Sequence, residues 1–174
     1  KTYIMEEGKK LMKMGFTVED IDIRGKKKDE LRQILMDKDV IYVAGGNSYY
    51  LLKQIKESGF DALVAERVNN GAIYIGVSAG SYVACPTIEQ HNWKHLGSDQ
   101  FGLVDLTAMN LVPFLIFAHF EEKMRELVEK NVVSTKYPVV ALYDTQAVLV
   151  ENGKWKIVGE GKREFYNGFK ETLI

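Results

Sequence analysis

The stretch Gly71-Ala-Ile-Tyr-Ile-Gly-Val-Ser-Ala-Gly-Ser-Tyr-Val-Ala-Cys-Pro86 reads as strand, sharp turn and helix. Ala72 to Val77 is apolar and rich in β-branched and aromatic side chains, the composition of a buried strand. Gly76-Val77-Ser78-Ala79-Gly80 then matches G-x-S-x-G, the nucleophile-elbow pattern. Small residues must flank Ser78, because larger ones in so tight a turn would strike the strand or the helix. The turn pushes the hydroxyl out of the backbone, and the next helix aims its N-terminus there. Its dipole and free N–H groups favour negative charge on whatever the serine attacks. Ser78 is therefore a candidate nucleophile, with a purely structural tight turn as the alternative.

Outward from this stretch, apolar runs and helical stripes alternate. An opening amphipathic helix carries Ile4, Leu11, Met12 and Phe16 and stops at Gly15. Val18 to Ile23 alternates apolar and acidic residues as a half-exposed strand does. A short charged helix over Lys26 to Leu35 precedes a strand from Asp39 to Ala44. Gly45-Gly46 breaks that strand, and Asn47 or Ser48 caps a helix ending at Ser58-Gly59. A second helix follows, with Phe60, Val64 and Val68 on one face. Beyond Pro86, Thr87 to Gly102 reads as a long polar loop. Leu111 to Phe120 reads as a core strand ending at His119, and Met124, Leu127, Val128 and Val132 as the stripe of a helix. Short strands follow at Val139 to Tyr143, Ala147 to Glu151 and Trp155 to Val158, the last two joined by an Asn152-Gly153 hairpin turn. The pattern predicts one α/β domain with a mainly parallel sheet. An α/β domain ordinarily starts with a strand, so a first strand is expected to precede Lys1.

Bulk properties narrow the function. The chain has 174 residues, a net charge of −1 and a pI near 6.4. That balance gives no basic surface and argues against nucleic acid as a partner. No apolar run is long enough to cross a bilayer, so no membrane partner is expected. Cys85 is the only cysteine, so no internal disulfide can form, which suits a reducing cytoplasm.

A serine nucleophile needs a base within hydrogen-bond reach and an acid to orient that base. The histidines are His91, His95 and His119. His119 ends a predicted core strand on the same rim as Ser78 and is the candidate base. His91 and His95 are spaced i, i+4 and could hold a metal with Glu89 or Asp99 only if their segment were helical. It reads as loop, so neither metal nor cofactor is expected. For the acid, Glu121 would lie on the same side of an extended strand as His119. Asp144 approaches from the tip of the next strand and reaches the far ring nitrogen more easily. Asp144 is preferred, and Glu121 stays open. Gly45 and Gly46 let a backbone N–H approach a reacting carbonyl and form an oxyanion hole with the N–H of Ala79.

Val-Ala-Gly-Gly-Asn-Ser at 43–48, Ile-Gly-Val-Ser-Ala-Gly-Ser at 75–81, Ala-Cys-Pro-Thr-Ile at 84–88 and Ala-His-Phe at 118–120 together resemble peptidase family S51. The resemblance covers about Val40 to Val150. It implies a three-layer α/β/α sandwich, flavodoxin-like and similar to class I glutamine amidotransferases. It also implies Ser78 as nucleophile, His119 as base and Asp144 at the position of the family's acid, where Asp144-Thr145 replaces a Glu-Gly segment. In the amidotransferases the acid sits two residues past the histidine, which is the place of Glu121.

The family includes an aspartyl dipeptidase, which cleaves dipeptides with an N-terminal aspartate, and a carboxylate pocket calls for a cation. That member has a basic residue just after the Cys-Pro-Thr-Ile segment and an aspartate a few residues on. Here Glu89 takes the first place and Trp93 stands near the second, so dipeptides with an N-terminal aspartate and other short peptides both stay open as substrates. Asn47, Glu89 and Trp93 are the candidate substrate-binding residues, with Lys94 or Arg125 as candidate charges. The expected function is a serine peptidase acting on short peptide substrates, with a homodimer as one assembly. The other readings are a catalytically silent relative that binds a small ligand and a hydrolase of a non-peptide amide.

Overall fold

Three features of the sequence set the chain's course: left-handed glycines that stop helices, apolar strands that pair, and side chains that close a strand edge. A computed structural model describes residues 2–94 and 100–172 of the chain. Helix α1 (Thr2–Lys13) ends where Gly15 turns to a φ of 95°. The segment Val18 to Ile23, expected as a strand, is unpaired among the described residues. Its apolar Ile21 and Ile23 lean on the core instead. A strand is stable only as a paired element, and no neighbouring described backbone offers these residues a ladder.

Helix α2 (Lys28–Leu35) buries Leu31 and Leu35. Strand β1 (Val40–Val43) follows, and Asn47 caps helix α3 (Ser48–Ser58) by accepting the Tyr50 amide at 2.9 Å. Gly59, at a φ of 70°, ends α3 and starts helix α4 (Phe60–Asn69). Strand β2 (Ile73–Gly76) pairs parallel with β1, Val43 opposite Gly76. The sequence suggested a buried strand over Ala72 to Val77; the structure corrects this. Ile73 and Ile75 are exposed, and only the opposite face, carrying Tyr74, meets helix α5 (Ala79–Ala84).

The stretch expected as an irregular loop contains a short helix α6 (His91–Lys94) and a bridge between Thr87 and Thr107. Strand β3 (Leu115–Phe117) is shorter than the apolar run that announced it, because residues 111–114 bend around Pro113. A 3₁₀ turn over Glu122–Met124 leads into helix α7 (Arg125–Val132). Strand β4 (Val139–Ala141) pairs parallel with β3. Strands β5 (Gln146–Glu151) and β6 (Lys154–Gly159) form the expected hairpin, with Asn152 and Gly153 at φ of 51° and 72°. Those two positive angles are what the two-residue hairpin turn requires. Strand β7 (Glu164–Tyr166), not foreseen, adds antiparallel to β4.

The described strands thus form three small hydrogen-bonded sheets, two of which hold parallel pairs. One apolar core lies around β1, β2 and helices α2 to α5; the other lies around β3, β4 and α7. The edge of β3 away from β4 is closed by side chains. Cys85 Sγ accepts the Ile116 amide at 3.2 Å, and Gln90 Nε2 donates to the Ile116 carbonyl at 3.2 Å. Both side chains are fully buried, and together they satisfy the edge that a neighbouring strand would otherwise occupy. The tip of β2 belongs to the first core and the tips of β3 and β4 to the second.

Candidate active site

Ser78 stands between β2 and α5 at φ 52° and ψ −109°, a backbone conformation that a non-glycine residue adopts only under constraint. The constraint is visible. The Ser78 carbonyl accepts the amides of Ser81 at 2.9 Å and Tyr82 at 3.1 Å, and the Ser81 hydroxyl at 2.6 Å. The two glycines of the motif are there for lack of space. A Cβ on Gly76 would lie 2.5 Å from the Gly80 oxygen, and one on Gly80 would lie 2.1 Å from the Val43 oxygen. Val43 itself accepts the Val77 amide at 3.0 Å, so strand β1, the turn and α5 are locked together. Tyr74 adds a further tie, its hydroxyl donating to the Gly80 carbonyl at 2.7 Å.

The base comes from the second core. Leu142 donates its amide to the Phe117 carbonyl and accepts the Phe120 amide, each at 2.9 Å. Between these two anchors Ala118 and His119 bow outward, and His119 takes a φ of 55°. Its Nε2 lies 2.9 Å from Ser78 Oγ, and its Nδ1 lies 2.7 Å from Asp144 Oδ1. Asp144 sits in the turn Tyr143-Asp144-Thr145-Gln146, closed by the Gln146 amide on the Tyr143 carbonyl at 2.9 Å. Segment 159–162 pins that turn: Thr145 Oγ1 donates to the Glu160 carbonyl at 3.0 Å and Gln146 Nε2 to the Lys162 carbonyl at 2.8 Å. Gly159 must be a glycine there, since its Cβ would lie 2.0 Å from the Thr145 oxygen.

With Nδ1–H donated to Asp144, Nε2 is left as the acceptor facing the serine hydroxyl, the tautomer a general base needs. The imidazole side chain is 55% exposed and the Asp144 carboxylate 76%, so the arrangement opens directly to solvent. Glu121, the other candidate acid, is drawn off by Lys123, with Nζ to Oε2 at 2.7 Å. The structure brings Ser78, His119 and Asp144 together and leaves Glu121 outside the relay. Ala79 opens α5 immediately after Ser78, and Gly46 follows β1 at a φ of 145°. Gly45 and Gly46 come at the end of the strand that carries Val43, itself bonded to the turn.

The candidate substrate residues have other partners. Asn47 spends its side-chain oxygen on the α3 cap. Glu89 lines an open groove of about 500 Å³ with Thr87, Thr107, Thr135 and Lys136, and none of Ser78, His119 and Asp144 borders it. Trp93 stacks on Phe117 with ring centroids 5.9 Å apart. Arg125 is held by Glu164, both guanidinium nitrogens at 2.7 Å, and by Glu122 at 3.0 Å. Lys94 Nζ donates to the carbonyls of Ala118 and His119, the second at 3.2 Å.

His91 is no loose loop residue, as the sequence suggested, but packs edge-on to Tyr49 and Tyr82 with centroids 4.8 and 5.4 Å away. His95 and Asp99 lie outside the described residues. Among the described residues no group of three His, Cys, Asp or Glu side chains could hold a metal ion. Burial pushes the Cys85 thiol up to about 12, which removes it as a competing nucleophile. Cys85 and Gln90 are the residues whose part went unrecognised; Gln90 is a fully buried amide whose neighbours in sequence gave no periodic signal.

The profile of peptidase family S51 matches residues 1–158. A Listeria monocytogenes protein named an uncharacterized peptidase is 33% identical over 145 residues, covering 79% of this chain and 71% of that protein. Peptidase E of Salmonella newport is 36% identical over 151 residues, covering 78% of this chain and 62% of its own length. The chain therefore spans less than two thirds of the peptidase E relative. The crystal structure of a candidate peptidase E from Listeria monocytogenes superposes with a TM-score of 0.78 and 29% identity, over 90% of this chain and 77% of that one.

Proposed function

The chain belongs to peptidase family S51, and from that premise we propose that it is a serine-type peptidase of short peptides working through Ser78, His119 and Asp144. The observation that carries this reading is the relay itself, with Ser78 Oγ 2.9 Å from His119 Nε2 and Asp144 Oδ1 2.7 Å from His119 Nδ1. Ser78 attacks the scissile carbonyl as His119 Nε2 takes its proton. Asp144 holds the Nδ1–H and stabilises the imidazolium that forms. The oxyanion develops at the N-terminus of α5, where the Ala79 amide and amides near Gly45 and Gly46 serve as donors. His119 then gives the proton to the leaving amine, and water resolves the acyl-enzyme by the same steps in reverse.

The reading includes the family's flavodoxin-like α/β/α sandwich, with the two parallel strand pairs as parts of its central sheet. The open site suits short, unfolded substrates.

The test is Ser78→Ala against a dipeptide library varied at the N-terminal residue, with fluorophosphonate labelling in parallel. Wild-type hydrolysis of at least one dipeptide, label on Ser78 and a fall of about 10³-fold or more in the variant are expected. Undiminished hydrolysis by Ser78→Ala refutes the reading. Absence of any adduct at Ser78 under native conditions transfers the fold to a ligand-binding role.

A further inference from the structure

Lys94 is a charged side chain bonded to the His119 backbone that the proposed chemistry leaves without a task. It closes helix α6, and Trp93 beside it stacks on Phe117. The ammonium itself lies over the same ring, 4.1 Å from the centroid. From that seat it donates to the Ala118 carbonyl and, at 3.2 Å, to the His119 carbonyl. These two carbonyls belong to the bowed segment between the Phe117 and Phe120 anchors, where His119 holds its φ of 55°. A positive φ is uncommon at a non-glycine residue, and surrounding contacts help to hold it. The flanking Phe117 carbonyl and Phe120 amide bond to Leu142, and the Ala118 and His119 carbonyls bond to Lys94, so both sides of the bow are tied.

We propose that Lys94 is a positioning residue for His119: its ammonium, seated on Phe117, gathers the Ala118 and His119 carbonyls and fixes the backbone bow that aims the imidazole at Ser78. The proposal rests on the peptidase reading above and deepens it. The ion is a cation for a structural reason, because two carbonyl dipoles and a ring face converge on it and each favours positive charge. The charged groups acting on it are Asp144 from the turn after β4 and Glu121 from the segment after β3, both of which hold the proton on; His119 is the titratable residue it touches. Burial outweighs them and lowers Lys94 to about 8. The full cation is therefore present below that pH, and its grip weakens above it. Arginine stays charged throughout.

The experiment measures fluorophosphonate labelling of Ser78 in the full chain, as limiting rate and half-saturating probe concentration, from pH 6 to 10 for wild type, Lys94→Met and Lys94→Arg. Thermal melting accompanies each. Lys94→Met, which keeps the packing on Phe117, should lower the limiting rate about tenfold while half-saturation changes less than about twofold. Lys94→Arg should recover most of the rate and hold it to higher pH than wild type, whose rate declines above about 8.

An unchanged limiting rate in Lys94→Met overturns the proposal. So does an arginine variant as slow as the methionine variant, with both melting lower, because that pattern is packing alone. A wild-type chain that takes no label fails at the peptidase reading itself, and Lys94 loses its role with it.

Discussion

Gly80→Ala is the sharpest probe of how the elbow is built. The new Cβ would lie 2.1 Å from the Val43 carbonyl oxygen, 2.9 Å from its carbon and 3.2 Å from Val43 Cβ. A Cβ essentially never comes nearer than 3.0 Å to such an atom, so α5 must recede from β1 by roughly 1 Å. The obstacle is backbone, not a flexible side-chain end, and that backbone is engaged: Val43 O accepts the Val77 amide at 3.0 Å. Overpacking of this kind costs about 1–3 kcal/mol, and weakening one buried backbone hydrogen bond adds about 1 kcal/mol. The sum, about 2–4 kcal/mol, corresponds to a fall of about 5–15 °C in Tm for a chain of this size. The same 1 Å carries Ser78 off its line to His119, which costs about 10²-fold in rate. Circular-dichroism melting and fluorophosphonate labelling read the two effects separately. Gly8→Ala is the control: in the interior of α1 its Cβ meets only Val18 Cγ1, at 3.9 Å. It should stabilise by about 0.5–1 kcal/mol. A Gly80→Ala chain that melts within about 2 °C of wild type and labels at the wild-type rate refutes the steric account.

Three further substitutions test the relay and its support. Asp144→Asn should cut the labelling rate about 10³–10⁴-fold, since an amide no longer fixes the tautomer, whereas Glu121→Gln should stay within about twofold. The reverse order of effects would reassign the acid. Glu164 lies buried beneath the Arg125 guanidinium, which holds its carboxyl below the ordinary value of 4.5. Its stabilising contribution is therefore complete above about 4.5 and drains away as pH falls through the depressed value. Wild-type Tm should drop steeply on acidification, and Glu164→Gln should start lower and drop less. Parallel Tm–pH curves for the two chains would contradict this.

What could be read from the sequence was whatever is enforced within a few residues. Gly76 and Gly80 announce the elbow because the clash they avoid is local. Asn152-Gly153 announces the hairpin, and Gly59 the joint of α3 and α4, through positive φ. What escaped notice depends on distant partners. Strand β7 has three residues and includes a carboxylate; Glu164 is tolerable at 6% exposure only because Arg125 reaches it from 39 positions away. The Val18–Ile23 alternation is a sound strand pattern without a described neighbour to pair with. Burial of Ile73 and Ile75 was inferred from their apolarity, but burial requires a covering layer, which one strand's composition does not reveal.

The choice between the two acids shows where period-two reasoning stops. Glu121 shares a side with His119 only if residues 119–121 remain extended. His119 at a φ of 55° breaks the alternation, so the residue two positions on no longer follows the imidazole. That same angle recurs at Ser78, with φ 52°, and neither residue can be glycine if it is to present a side chain. Each such conformation costs about 1–3 kcal/mol, which local propensity cannot offset. The offset is found in the surroundings: three donors on the Ser78 carbonyl, and Leu142 with Lys94 around the His119 bow. Those ties come from α5, from Leu142 just after β4, and from α6, and so from both cores. The two strained residues therefore meet only when both cores are folded, and loosening either one should separate hydroxyl from imidazole before it unfolds the chain.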